Sequence, residues 1–197
     1  LLNRAKVRPW LGRSTEETVF QLFGLPPIGD DRDLPVAPIT RLADGGDADE
    51  VAKFCWLRAD PVHLEADLKQ VLLSAAAHNM DIQPHEAQSL VAECNTLLQA
   101  DGLQLEAPNP NRWYLRLTDD PGLYTQPLPL AVGQDINALL PHGTSSNHWR
   151  ALLTELQMLL HNSTVNVQRA ARSQRLINSV WFWGGGFLPK LTSNKIE

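Results

Sequence analysis

The chain has 197 residues, 43% of them hydrophobic, 20% charged and 7% aromatic, enough for one globular domain with a buried core and some flank. Seventeen Lys and Arg against 22 Asp and Glu leave a net charge of −5, and with no dense basic run this argues against nucleic acid as the main ligand. No apolar run approaches a membrane-spanning length, and two cysteines 39 residues apart, Cys55 and Cys94, without a CxxC, fit buried free thiols in a reducing, cytoplasmic setting.

The opening LLNRAKVRPW reads as the end of a helix, and its Arg4, Lys6 and Arg8 exclude the continuous apolar stretch of a secretory leader. Together with an end soon after an apolar, glycine-terminated segment, this reads as a piece cut from something larger, or a remnant. Ser14 followed three residues later by Glu17 is a capping-box signature, with Thr18, Val19, Leu22 and Phe23 at helical spacing before Gly24 and Pro26-Pro27 stop the helix. An acidic loop spans 25–35, a helical turn is predicted over Ile39–Ala43, and DGGD at 44–47 reads as a solvated turn rather than a metal loop.

From residue 53 strands and helices alternate. KFCWLRAD at 53–60 has strand alternation, Pro61 is expected to interrupt it, and Val62–Leu64 with Lys69–Leu73 reads as a hairpin. Pro84 opens a long helix whose apolar face is Ala87, Leu90, Val91, Cys94, Leu97 and Leu98. Strands follow at 103–107 and 112–118, joined by an Asn/Pro turn, then an irregular proline-rich stretch at 121–133 and a short helix at Asp135–Leu140. Helices are predicted at 148–161 and Val165–Arg175, and a nearly all-apolar strand, NSVWFW, at 178–183. The expected fold class is α+β, a mixed, largely antiparallel sheet of five or six strands with helices packed mainly on one face. Residues 1–50 read as a flank and 51–197 as the α+β domain.

No His/Cys pattern with metal-ligand spacing, nucleophile elbow, phosphate loop or dinucleotide fingerprint is present, and His161 suits the dipole at a helix C-terminus. Two constellations remain. Alternation puts Arg58 and Asp60 on one strand face, and the Pro61 break lets His63 point elsewhere; the pair is either an anion-binding device, with Asp60 holding Arg58, or a salt bridge on a sheet face. Asn166 and Arg169 share a helix face, followed by Asn178, by Trp181 and Trp183 on one strand face, and by Gly184-Gly185-Gly186. Tryptophans so placed more often build core than a stacking platform, and three glycines permit close approach of another backbone or of an anion to a nest of N–H groups.

The stretch LLHNSTVNVQRAARSQRLINSVWFWGGGFLP resembles the HxVN…R…G…AN-x-[IV]-W-x-WG-x-G…P segment of the archaeal-type cofactor-independent phosphoglycerate mutases, of the alkaline phosphatase superfamily, through His161, Val165, Asn166, Arg169, Asn178, Trp181, Trp183, Gly184, Gly186 and Pro189. FCWLRADPVHLEAD, STEETVFQLFGL and PHEAQSLVAECNTLL resemble further family segments in the same order, closest to a bacterial branch of mutase-like or regulatory proteins. The resemblance implies a phosphoryl-transfer ancestry with two metal ions and a serine nucleophile, which would fall near Ser14 or Thr15; those two residues serve equally well as a helix cap. The family's first metal ligand lies in a DG-x-GD strand and the remaining ligands beyond the WG-x-G motif, and these 197 residues contain neither stretch. The expectation is therefore a mutase-like protein that is non-catalytic as it stands, with no cofactor in this chain and Mn or Mg only where such segments exist in the native protein. Arg58, Asp60, His63, Asn166, Arg169, Asn178, Gly184 and Gly185 would bind a small phosphorylated or carboxylated metabolite. The alternative is a regulatory interaction domain with a protein partner or a second copy of itself; neither reading calls for nucleic acid or a membrane.

Overall fold

A computed structural model of the protein describes Phe20 and residues 33–189. Ser14 and Thr15, with most of the helix expected at 14–23, lie outside the described residues; Phe20 is helical and buried.

The sheet is organised by one long strand, β1 (Cys55–Ala66), with β2 (Val71–Ala76), β3 (Gln104–Asn109), β4 (Arg112–Leu117) and a last strand, β7 (Ser179–Gly186). All pairings are antiparallel: β4 along Cys55–Arg58, β2 along Val62–Ala66, β7 along Trp56–Val62, and β3 outside β4. Arg58 faces both Tyr114 and Trp183, and Val62 both Ala76 and Ser179, so β7 covers one edge of β1 while β4 and β2 share the other. The predicted break at Pro61 is absent. Pro61 falls between the end of the β4 ladder and the start of the β2 ladder, where β1 has a partner on one edge only, a position that tolerates a residue with no N–H. A separate ribbon pairs β5 (Leu123–Tyr124), inside the stretch expected to be irregular, with β6 (His142–Gly143) beyond it.

Alternation along β1 separates two cores. Cys55, Leu57 and Ala59 face α3 (Pro84–Leu98), α5 (Ser146–His161) and α6 (Thr164–Ala171), giving the largest apolar cluster. Trp56, Arg58, Asp60 and Val62 face the other way, under α1 (Val36–Ala43), α2 (Ala48–Lys53) and the segment that holds α4 (Leu128–Ala131). The α+β expectation holds, with the two long helices on one face. α2 has no counterpart in the sequence reading; it is capped by Asp47, whose carboxylate accepts from the Glu50 N–H at 2.9 Å, so the last residue of the DGGD turn is a helix cap. α6 ends at Ala171, four residues before the expected Arg175, because Ser173 takes a left-handed φ of 57°. The segment expected as a helix at Asp135–Leu140 is a single 3-10 turn, Ile136–Ala138. Among the described residues no helix is long and apolar enough to cross a membrane.

Candidate functional site

On the α1 face of β1, Arg58 and Asp60 form the pair that alternation predicts. The guanidinium donates from Nε and Nη2 to Asp60 Oδ1 at 3.1 and 2.7 Å and from Nη2 to Oδ2 at 2.8 Å, while Nη1 reaches the Thr40 hydroxyl at 3.4 Å. Asp60 also accepts from the Trp183 indole at 2.7 Å and the Trp113 backbone N–H at 3.3 Å. Arg58 is 6% exposed and Asp60 1%, and the guanidinium lies 5.2 Å from the ring centroids of both Tyr114 and Trp183. Burial pushes the Asp60 carboxyl upward, opposed by Arg58, Trp183 and Trp113. A charge pair this far from water is kept by satisfying its hydrogen bonds, and each nitrogen of Arg58 has an internal partner.

α1 is fastened over this pair by further charges. Asp44, at its C-terminal end, pairs with Arg112 and accepts the Tyr114 hydroxyl at 2.5 Å. Arg41 bonds Glu106 at 2.9 Å across β3, and Glu50 of α2 bonds Arg116 at 2.8 Å. The Arg112 side chain holds the Asp44 carboxyl below the usual carboxylate range, and burial, with Asp44 beside it, pushes the Tyr114 hydroxyl up to about 12.

The glycine run solves a packing problem at the start of α1. Gly184 has φ +65°, and a Cβ there would lie 3.0 Å from Val36 Cβ; at Gly186 it would lie 2.9 Å from Pro35 Cβ. Close approach of residues 34–36 is thus one use of the run. A carboxylate is nevertheless held beside it: Asp33 accepts the Thr125 N–H at 2.9 Å and the Thr125 hydroxyl, and the Gly185 N–H also favours its charged form. Burial outweighs these donors and lifts the Asp33 carboxyl above the usual range. Next to it opens a cleft of about 610 Å³, bounded by Asp33, Asp120, Tyr124, the backbone of Gly185 and Gly186, and Phe187. Asp33 and Thr125 escape sequence reasoning, because their contact spans 92 residues and neither belongs to a motif.

The remaining predicted residues lie elsewhere. On the helix-covered side Arg169, fully buried, spends Nη1 on Glu86 at 2.6 Å, Nη2 on the Met80 carbonyl at 2.5 Å and Nε on the Arg175 carbonyl at 2.8 Å. Asn166 donates to the carbonyls of Leu160 and Ile177 and accepts the Ile177 N–H, tying α6 to the approach of β7. Asn178 exchanges two hydrogen bonds with the Leu64 backbone, and His63 Nδ1 sits 2.9 Å from the Leu176 carbonyl oxygen. The structure thus brings Arg58 and Asp60 to the face that also carries the glycine run, Asn166 and Arg169 to the opposite side, and His63 with Asn178 to the distal part of β1. Among the described residues no three His, Cys, Asp or Glu side chains converge as metal ligands.

No protein-family model matches the chain. It is similar to the 2,3-bisphosphoglycerate-independent phosphoglycerate mutase of Methanosarcina mazei, 31% identical over 62 residues (32% of this chain, 16% of that protein), and to that of Methanosarcina barkeri, 27% identical over 113 residues (56% and 28%). The fold is similar to that of a cofactor-independent phosphoglycerate mutase from Thermoplasma acidophilum, with a TM-score of 0.54 and 14% identity over 90% of this chain and 48% of that one. A Pyrococcus horikoshii protein gives a TM-score of 0.55 at 14% identity over 91% and 39%. The matched region is thus 16–28% of these curated relatives and 39–48% of these solved ones.

Proposed function

We propose that this chain is a phosphoglycerate mutase-like domain that binds a small phosphorylated or carboxylated ligand without itself carrying out phosphoryl transfer. Mutase ancestry is supported by the local identity to the methanogen enzymes together with the shared fold. The ligand part rests on one observation: the Thr125 N–H and hydroxyl, beside the glycine run, already hold a carboxylate, and that carboxylate belongs to the chain itself. A ligand carboxylate or phosphate entering the adjoining cleft would take those donors and release Asp33 to water. Arg58 and Arg169 serve this reading as framework, since their donors are committed internally. Mn or Mg would enter only where the family's metal-ligand segments exist in the native protein, and Ser14 or Thr15 would act as a nucleophile only with that metal beside it.

Thermal unfolding with 3-phosphoglycerate, 2-phosphoglycerate and inorganic phosphate tests the proposal. A ligand at a hundred times its dissociation constant adds about 2.7 kcal/mol, a shift of a few degrees in a domain of this size. Asp33→Asn, which weakens the internal competitor, should enlarge the shift, and Thr125→Val should abolish it. No shift with any of the three removes the ligand reading. An interaction domain is then left in front, supported by Phe187, which is 44% exposed at the mouth of the cleft beside Leu188 and Pro189.

A further inference from the structure

A second cavity, of about 410 Å³, lies away from the glycine run, between α5 and the β1–β2 hairpin. Its walls are Leu64, Val71, Ile136, Leu140 and Leu153, contributed by four separate parts of the chain. Arg150, Thr154, Gln157 and His161 also border it, and their spacing of four, three and four residues places them in one stripe along α5. Among the described residues no Asp or Glu lines the cavity.

The polar groups of this cavity are unequally available. Asn178 is committed to the Leu64 backbone, Gln157 Nε2 donates to the Ser179 hydroxyl at 3.2 Å, and the Thr154 hydroxyl donates to the Arg150 carbonyl at 3.0 Å. Arg150 differs. Its Nε donates to the Pro141 carbonyl at 3.1 Å, which fixes the plane of the guanidinium, and both Nη atoms are without a hydrogen-bond partner among the described residues. A guanidinium held by one nitrogen, with the other two presented, matches the two oxygens of a carboxylate. We propose that this cavity binds an amphiphilic monoanion, an apolar body of several carbons bearing one carboxylate, with the carboxylate on Arg150 and the body along Ile136, Leu140, Leu153 and Val71. The volume lies within the range of small-molecule sites, ~300–1,000 Å³. A phosphoglycerate fits poorly here, because it brings several charges and no apolar body to aliphatic walls with one oriented guanidinium.

Decanoate is the probe, titrated into the full chain by calorimetry beside decanol and acetate, which carry its body and its head separately. Decanoate should bind as one equivalent, and decanol and acetate at least about tenfold more weakly, a charged hydrogen bond being worth that much or more. Arg150→Gln should weaken decanoate by a similar factor with an unchanged melting temperature, since Arg150 is exposed. Thr154→Trp, from an exposed helix position, should fill the cavity and remove binding. Decanol binding as tightly as decanoate, decanoate binding that survives either substitution, or no decanoate binding at all, each overturns the proposal. 3-Phosphoglycerate should not compete with decanoate, so this result and that for the Asp33 cleft stand or fall separately.

Discussion

The Trp183 indole donates to Asp60 Oδ2 at 2.7 Å, so the last strand of the sheet holds the carboxylate with which the first strand holds Arg58. The pair therefore has its full set of hydrogen bonds only in the assembled sheet. Removing one member leaves the other charged and buried, which costs about 3–5 kcal/mol. Arg58→Ala or Asp60→Ala should each lower unfolding free energy by this amount in urea titrations, whereas Arg58→Met with Asp60→Leu should restore most of it. Trp183→Phe keeps the ring against Arg58 and removes one hydrogen bond, for about 1–3 kcal/mol.

The two kinds of left-handed glycine should respond differently to alanine. Gly45 has φ +86° with no atom within 4 Å of a built Cβ, so Gly45→Ala costs only backbone strain, about 1–2 kcal/mol. Gly184→Ala adds a contact with Val36 at 3.0 Å to similar strain and should cost clearly more. Equal losses in denaturant titrations would mean that α1 yields freely at Val36.

Asp44 and Asp33 make opposite contributions to pH dependence. Arg112 depresses the Asp44 carboxyl, so its stabilisation is present above the unfolded value near 3.8 and is lost as pH falls through the lower folded value. Arg112→Gln should therefore weaken the protein at neutral pH and flatten this acid limb. Burial raises the Asp33 carboxyl, so the folded chain keeps that proton longer, and stability declines as pH rises from about 3.8 through the higher folded value. Asp33→Asn should remove that decline. Unfolding free energies taken from acid to neutral pH read both effects.

Cys55 and Cys94 are buried, and burial pushes both thiols up to about 12. The native protein should show no fast-reacting thiol toward a disulfide reagent at about pH 8. In denaturant both should react. Fast labelling of either in the native state would mean that the sheet or α3 opens readily.

The sequence makes the strand faces and helices of the region 53–186 largely legible, because periodicity is a local signal. Arg58 and Asp60 two apart in an alternating strand could only share a face, and Pro84, with Gly102 eighteen residues later, brackets α3. What escaped depends on distant partners. Pro61 reads as a break until the gap between the β4 and β2 ladders is known. Asp44 reads as a solvated turn residue until Arg112 and Tyr114, about 70 residues on, close over it. The glycine run is conspicuous in sequence, yet its meaning lies in Pro35 and Val36, some 150 residues earlier.

The same wiring bears on how the chain is made. During synthesis β1, β2, β3 and β4 leave the ribosome and can pair while β7 is still more than sixty residues from being complete. Until Gly186 emerges, the second edge of β1 presents open N–H and C=O groups from Trp56 to Val62, and Asp60 awaits its indole. The nascent sheet therefore carries its most aggregation-prone edge at its centre rather than its rim. Chains stalled or cut before Ser179 should be aggregation-prone and should require chaperone protection.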